Sequence, residues 1–180
     1  YLIPSASITT VLFLSVYLLY LMSVQGRWAE ELGRHYIYLI PASSQSKIFF
    51  STLTEIINDI INAVFLFVIS GILLGTNVVE ILLCALAYAS YGAILTYADT
   101  FARKIFGRVH SQYLKVFAKM GMTLVVVLPG LLAYFIAVYL LPLLDIPPIV
   151  AYIPLILYNF IAAFGVLFIS RGLFEELEMH

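Results

Sequence analysis

"MGMTLVVVLPGLLAYFIAVYLLPLL", Met120–Leu144, runs for 25 residues without a charge, and its reading decides the fold. A helix needs roughly 20 apolar residues to cross a bilayer core. The apolar residues here are continuous rather than alternating, the pattern of a membrane helix and not of a barrel strand. Working outward, four more charge-free stretches of spanning length follow: Ser7–Gln25, Ile60–Val79, Ile81–Ala98 and Ile146–Ser170. The last is broken by Pro147, Pro148 and Pro154, so its span is expected to begin near Ala151. The fold class is an all-α, polytopic membrane protein with five transmembrane helices. Residues 1–180 form a single transmembrane domain, with spans placed at about 7–25, 52–75, 80–98, 120–142 and 151–170.

Composition agrees. Hydrophobic residues make up 63% of the chain and charged residues 11%, with a mean hydropathy of +1.06. A soluble domain carries about 25% charged residues, and a chain this short has no globular core large enough to hide so much apolar surface. The lone Cys84 excludes a disulfide within the chain and reads as a small buried hydrophobe. No basic region precedes the first apolar run, so a signal peptide is not expected. A start at Tyr1 suggests part of a longer protein whose preceding span has been cut away.

Basic residues set the expected orientation. Arg27, Arg34 and Lys47 fall in the first connection; Arg103, Lys104, Arg108, Lys115 and Lys119 fall in the third; Arg171 falls in the tail. The connections around Gly75–Glu80 and Pro142–Pro148 hold none. All the basic residues therefore share one side, which the positive-inside rule makes cytoplasmic. The N-terminus of this chain is then outside the cell membrane and the C-terminus inside.

Both cytoplasmic connections are expected to be structured. In "DTFARKIFGRVHSQYLKVFAKM", residues 99–120, Lys104, Arg108, Ser111, Lys115 and Lys119 recur every three or four residues, opposite a stripe of Phe101, Ile105, Val109 and Val116. That spacing predicts a basic amphipathic helix, lying at the membrane surface or extending the next span inward, its charges facing anionic lipid headgroups rather than nucleic acid. In the segment 27–47, Pro41 and the serines at 43, 44 and 46 predict a helix starting near Gln45 and running to about Gly75. Such a helix outreaches the bilayer, so its first two turns project beyond it. Residues 142–150 form an external Pro-rich segment.

Polar residues inside the spans are few. Glu55, Asp59 and Asn62 lie on one helical face, either an interfacial anchor or the lining of a transport path or inner gate. "GILLG" at Gly71–Gly75 fits a small-residue packing motif, and Tyr88, Tyr91 and Tyr97 read as packing and interface anchoring. "EELGR" at Glu30–Arg34 is similar to the paired-glutamate motif of membrane-embedded CAAX-type proteases. Its spacing is one residue short, however, and His35, His110 and His180 all fall outside the spans. No catalytic residue and no metal site is assigned. No Gly-rich phosphate loop is present, so the chain is not expected to bind ATP itself. Tyr-Leu-Ile-Pro occurs at 1–4 and 38–41, but the residues beyond the two copies differ, and no internal repeat is read from them.

The stretch "ELGRHYIYLIPASSQSKIFFSTLTEIINDI", Glu31–Ile60, resembles the permease subunit of type 2 ABC exporters, in particular the bacterial putative ABC exporter family. The resemblance implies that Leu32–Ile40 is a coupling helix, Pro41 a break, Lys47 the basic residue of the turn and Phe49–Gly75 the third of six spans. It implies docking of a separate ABC ATPase subunit, which would hold ATP and Mg, on Trp28, Glu30, Glu31, Arg34, His35, Tyr36, Tyr38, Pro41 and Lys47. It also implies pairing with a second permease half. The chain would cover spans two to six. The residues leave two other readings open: a membrane-embedded enzyme, such as a protease or lipid-modifying enzyme, and a non-transporting scaffold.

Overall fold

A computed structural model describes residues 7–23, 44–106 and 112–169. It contains five α-helices: α1 (Ile8–Ser23), α2 (Ser44–Leu74), α3 (Val78–Phe106), α4 (Gln112–Leu140) and α5 (Tyr152–Ile169). Two short 3-10 turns, Leu141–Leu144 and Pro148–Ala151, join α4 to α5. No strand occurs among the described residues. The all-α membrane fold expected from the charge-free runs is the fold observed.

Among the described residues, four helices are long and apolar enough to cross a membrane: Thr52–Leu74, Val78–Ala98, Val116–Leu144 with its terminal 3-10 turn, and Ile149–Ile169. The fifth, α1, is described over 16 residues, about 24 Å of rise, and the last two residues of its expected span, 24 and 25, lie outside the described residues. Its start is well defined chemically. Ser7 caps it, with the Thr10 N–H donating to the Ser7 carbonyl at 2.9 Å and to Ser7 Oγ at 3.3 Å. Further along, Ser15 donates its hydroxyl to the Val11 carbonyl at 2.6 Å, so it places no unpaired donor in the apolar run.

Helix α2 is the longest, at 31 residues. It begins at Ser44, among the serines that predicted its start, and its first two turns precede the apolar span. Its end is set by Gly75, whose φ of 64° lies in the left-handed region. Beyond it, the Thr76 N–H reaches back to the Gly71 carbonyl at 3.1 Å, closing a Schellman cap. Gly71 is needed for a different reason: a Cβ there would overlap the Ile81 side chain in the first turn of α3. The "GILLG" pair is thus an internal device that folds α3 tightly back on α2. Gly75→Ala, which retains no steric freedom at that φ, is expected to cost about 1 kcal/mol. It would appear as a lower midpoint of thermal unfolding in detergent, with span content by circular dichroism unchanged.

Helix α3 is the centre of the bundle and packs against α1, α2, α4 and α5. From Ala87 to Ala98 every residue is buried, as expected of a helix enclosed on all sides. The surrounding helices bury one face and expose another of large apolar residues, such as Phe65 and Leu73 on α2 and Val125 and Tyr139 on α4. On a polytopic membrane protein that surface meets lipid tails or another membrane helix.

The basic residues of 99–119 flank a connection whose middle, 107–111, lies outside the described residues. Helix α3 is described past its apolar span to Phe106, with Arg103 and Lys104 in it, and Lys115 and Lys119 lie in the first turns of α4, the next span. Arg108 falls outside the described residues.

At the opposite end, Pro142, Pro147 and Pro148 restrict the chain to two tight turns. Asp145, at φ 57°, is the one described non-glycine residue with a left-handed backbone. The Ile146 N–H donates to the Leu141 carbonyl at 3.0 Å, closing the first turn. Helix α5 then starts at Tyr152, with Pro154 in its first turn, where a missing N–H has no helical partner to lose.

Candidate functional site

The polar residues singled out in α2 separate in space. Asp59 lies about 10 Å inside the apolar span that opens at Thr52 and is half-buried against α3. Its carboxylate rests on Gly92. A Cβ at Gly92 would overlap Asp59 Oδ2 and stand 2.8 Å from its Cγ and 2.9 Å from its Cβ. Glu55, one turn earlier, is also half-buried, while Asn62 is exposed on the outer surface of the bundle. Below them, Thr52 is fully buried and faces Tyr97 of α3. Above them, Phe67 meets Tyr88 edge-on, with ring centroids 6.0 Å apart. An acidic side chain at this depth is costly in lipid unless it faces protein or a wet cavity. Asp59 meets that condition by lying on the one position of α3 that carries no side chain.

A second polar cluster joins α3, α4 and α5. Asn159 of α5 is fully buried and donates from Nδ2 to Ser90 Oγ of α3 at 3.0 Å. Ser90 in turn donates to the Ala87 carbonyl at 2.7 Å. The preceding residue, Tyr158, donates its hydroxyl to the Val126 carbonyl of α4 at 2.9 Å. That carbonyl belongs to the turn disturbed by Pro129, which lies inside α4. Pro129 withholds the N–H that the Val125 carbonyl would accept in a regular helix, and the Tyr158 hydroxyl supplies an extra donor to the next carbonyl of the same turn. A third contact, Thr9 Oγ1 to the Tyr152 hydroxyl at 2.7 Å, ties α1 to α5. Tyr134 stacks between them, 5.4 Å from the Tyr152 ring and 5.7 Å from that of Phe13.

Sequence reading missed Asn159, Ser90 and the glycines at 92 and 130. The available signal was Asn159 itself, the lone amide in the otherwise apolar run from Ile149 to Ile169. Tyr88, Tyr91 and Tyr97, read as packing residues, are all buried on α3.

The residues expected to couple to an ATPase, Trp28, Glu30, Glu31, Arg34, His35, Tyr36, Tyr38 and Pro41, lie outside the described residues. Lys47 is in the first turn of α2. His35, His110 and His180 also lie outside them. Among the described residues no group of three His, Cys, Asp or Glu side chains could hold a metal ion. Cys84 is buried in the core beside Tyr152.

A family model described as "Putative ABC exporter" matches residues 2–178, almost the whole chain. No curated protein and no solved structure matches it.

Proposed function

Because the chain belongs to the putative ABC exporter family, we propose that it is the transmembrane permease subunit of an ATP-driven exporter in the cell membrane. The family match over 2–178 carries the reading. The helices agree with it: four of those described are of spanning length, one of them the buried α3 around which the others pack, and the polar side chains inside them are sparse and satisfied mostly within the bundle. A membrane enzyme would need paired acids and histidines facing one another inside the spans, and family membership favours a transporter over it.

In this reading the segment 27–47 docks on a separate ATPase subunit that holds ATP and Mg. A second permease half completes the path, and the basic residues 103–119 face the cytoplasmic leaflet. The N-terminus of the chain is outside and the C-terminus cytoplasmic. Asp59, with Glu55, lines the inner part of the path or its gate. A carboxylate held on the Gly92 backbone is placed between two helices that a transport cycle would move apart. Asn62 faces outward from the bundle, where the second permease half or lipid would meet it.

The test is co-expression with the ABC ATPase encoded beside or within the same reading frame. The two should co-purify, and ATP should drive uptake of substrate into inverted vesicles, whose lumen corresponds to the outside of the cell. Glu55→Gln combined with Asp59→Asn is expected to reduce that ATP-driven flux at least about tenfold, since removing charge at a path costs a few kcal/mol of differential interaction. Membrane insertion and ATPase co-purification should be unchanged. Loss of the protein itself would assign the two acids to structure. Failure of any ATPase to co-purify would count against the permease reading.

A further inference from the structure

Two polar atoms are fully buried and make no hydrogen bond among the described residues: the Tyr91 hydroxyl and Asn159 Oδ1. They are complementary, a donor on α3 and an acceptor on α5, and the two side chains lie at the margin of hydrogen-bonding reach of each other. Tyr91 is 1% exposed and Asn159 0%, so neither can turn to solvent. Leaving buried polar groups unpaired is unfavourable. A pair that is complementary, adjacent and unpaired has a second arrangement open to it.

The same amide touches α4 at its proline turn. Gly130 follows Pro129 directly, and a Cβ there would come within 3.0 Å of Asn159 Oδ1 and 2.7 Å of the Tyr158 ring. Tyr158 is bonded to the Val126 carbonyl, one turn before Gly130. Two consecutive residues of α5 therefore grip the turn where α4 is weakest, and one of them reaches on to Ser90 of α3. A prolyl turn is where a helix bends, and bending α4 at this point displaces Asn159 with it.

From this geometry we infer that Asn159 is a latch with two positions. In the position described, Nδ2 donates to Ser90 Oγ and Oδ1 is unpaired. In the other, α4 bends at Pro129–Gly130 and Oδ1 accepts the Tyr91 hydroxyl proton in a direct hydrogen bond. The bundle thereby has two discrete packings of α4 against α3 and α5, which is what a two-state moving element requires. The inference deepens the transport reading by naming the element that moves, and rests on that reading only for what drives the change.

The full chain in lipid nanodiscs decides it. Spin labels replace the exposed Phe117 on α4 and Phe168 on α5, in a Cys84→Ala background, and report the distance from the first half of α4 to the last turns of α5. Two distance populations are expected. Tyr91→Phe deletes only the hydroxyl and should lower the ratio of second to first population about five- to tenfold. Ser90→Ala removes the bond that holds the first position and should raise the same ratio by a similar factor. Either variant decides by itself if the other fails to fold. A single distance in the unsubstituted chain, or a ratio that either variant leaves unchanged, overturns the latch. Two responsive populations in a chain that recruits no ATPase would instead count against the transport reading alone.

Discussion

Gly92→Leu is expected to abolish most of the folded protein. Gly92 lies in the stretch of α3 that is buried on every side, and Asp59 of α2 occupies the space a side chain would need. A swing of the carboxylate would clear Oδ2, the flexible end. It would not clear the Asp59 Cβ, 2.9 Å from the added carbon and fixed to the α2 backbone. The two helices would have to separate. Overpacking a well-packed site costs about 1–3 kcal/mol, and leucine adds three more carbons at a position with no free wall, so the cost is at or above the top of that range. Folded domains have only about 5–15 kcal/mol to lose. The check is the monodisperse yield and thermal midpoint of the solubilised protein, Gly92→Leu beside Gly92→Ala. Adding Asp59→Ala to Gly92→Ala should restore much of the loss, a coupling of about 1–3 kcal/mol. A Gly92→Leu protein with an unchanged midpoint would mean that the carboxylate does not sit on α3.

The contrast between this contact and the helices themselves shows what the sequence holds. A membrane helix is legible because lipid demands the same thing of every residue along it: no charge over about 20 positions, with all backbone groups satisfied locally. Met120–Leu144 and Ile81–Ala98 announce themselves that way, and the serines at 43–46 announce the start of α2. Helix ends beyond the lipid are set by other forces. Helix α3 is therefore described as far as Phe106, eight residues past the end of its apolar run at Ala98.

Contacts between helices were least legible. Glu55, Asp59 and Asn62 share a face by period, yet only tertiary packing places Asp59 on Gly92 and leaves Asn62 outside. A glycine in a transmembrane helix gives no sign of which neighbour needs its absent side chain: Gly71 serves Ile81, Gly92 serves Asp59 and Gly130 serves Tyr158 and Asn159. Asn159 could have been found, since a buried amide in an apolar span must be partnered. Its partner Ser90, by contrast, is 69 residues away in the chain.

Tyr36→Ala combined with Tyr38→Ala is expected to release the ATPase from the membrane domain. The proposed coupling segment 27–47, which overlaps the start of the stretch that carries the family likeness, puts Trp28, His35, Tyr36 and Tyr38 within eleven residues, interspersed with Glu30, Glu31 and Arg34. Aromatic side chains with a polar tip, ringed by charge, are the composition of an interface core with a rim. They are also the composition of an aromatic belt at the headgroups, and the substitution separates the two. At a docking centre each truncated anchor costs about 2 kcal/mol or more, and two together amount to a loss of affinity of more than about a hundredfold. The ATPase should then be absent after affinity purification in detergent. The membrane domain should still insert and run as a monodisperse species, because neither residue falls in a charge-free run of spanning length. Charge reversal at the rim, Arg34→Glu, should act differently: association becomes slower and more salt-dependent, with the complex retained. If the residues serve only as a membrane belt, the double substitution leaves the complex intact and lowers insertion or thermal stability instead. That outcome would remove the coupling role from residues 27–47 and leave Lys47 and the first two turns of α2, the part of the long helix that precedes its span, as the surface for the ATPase to push.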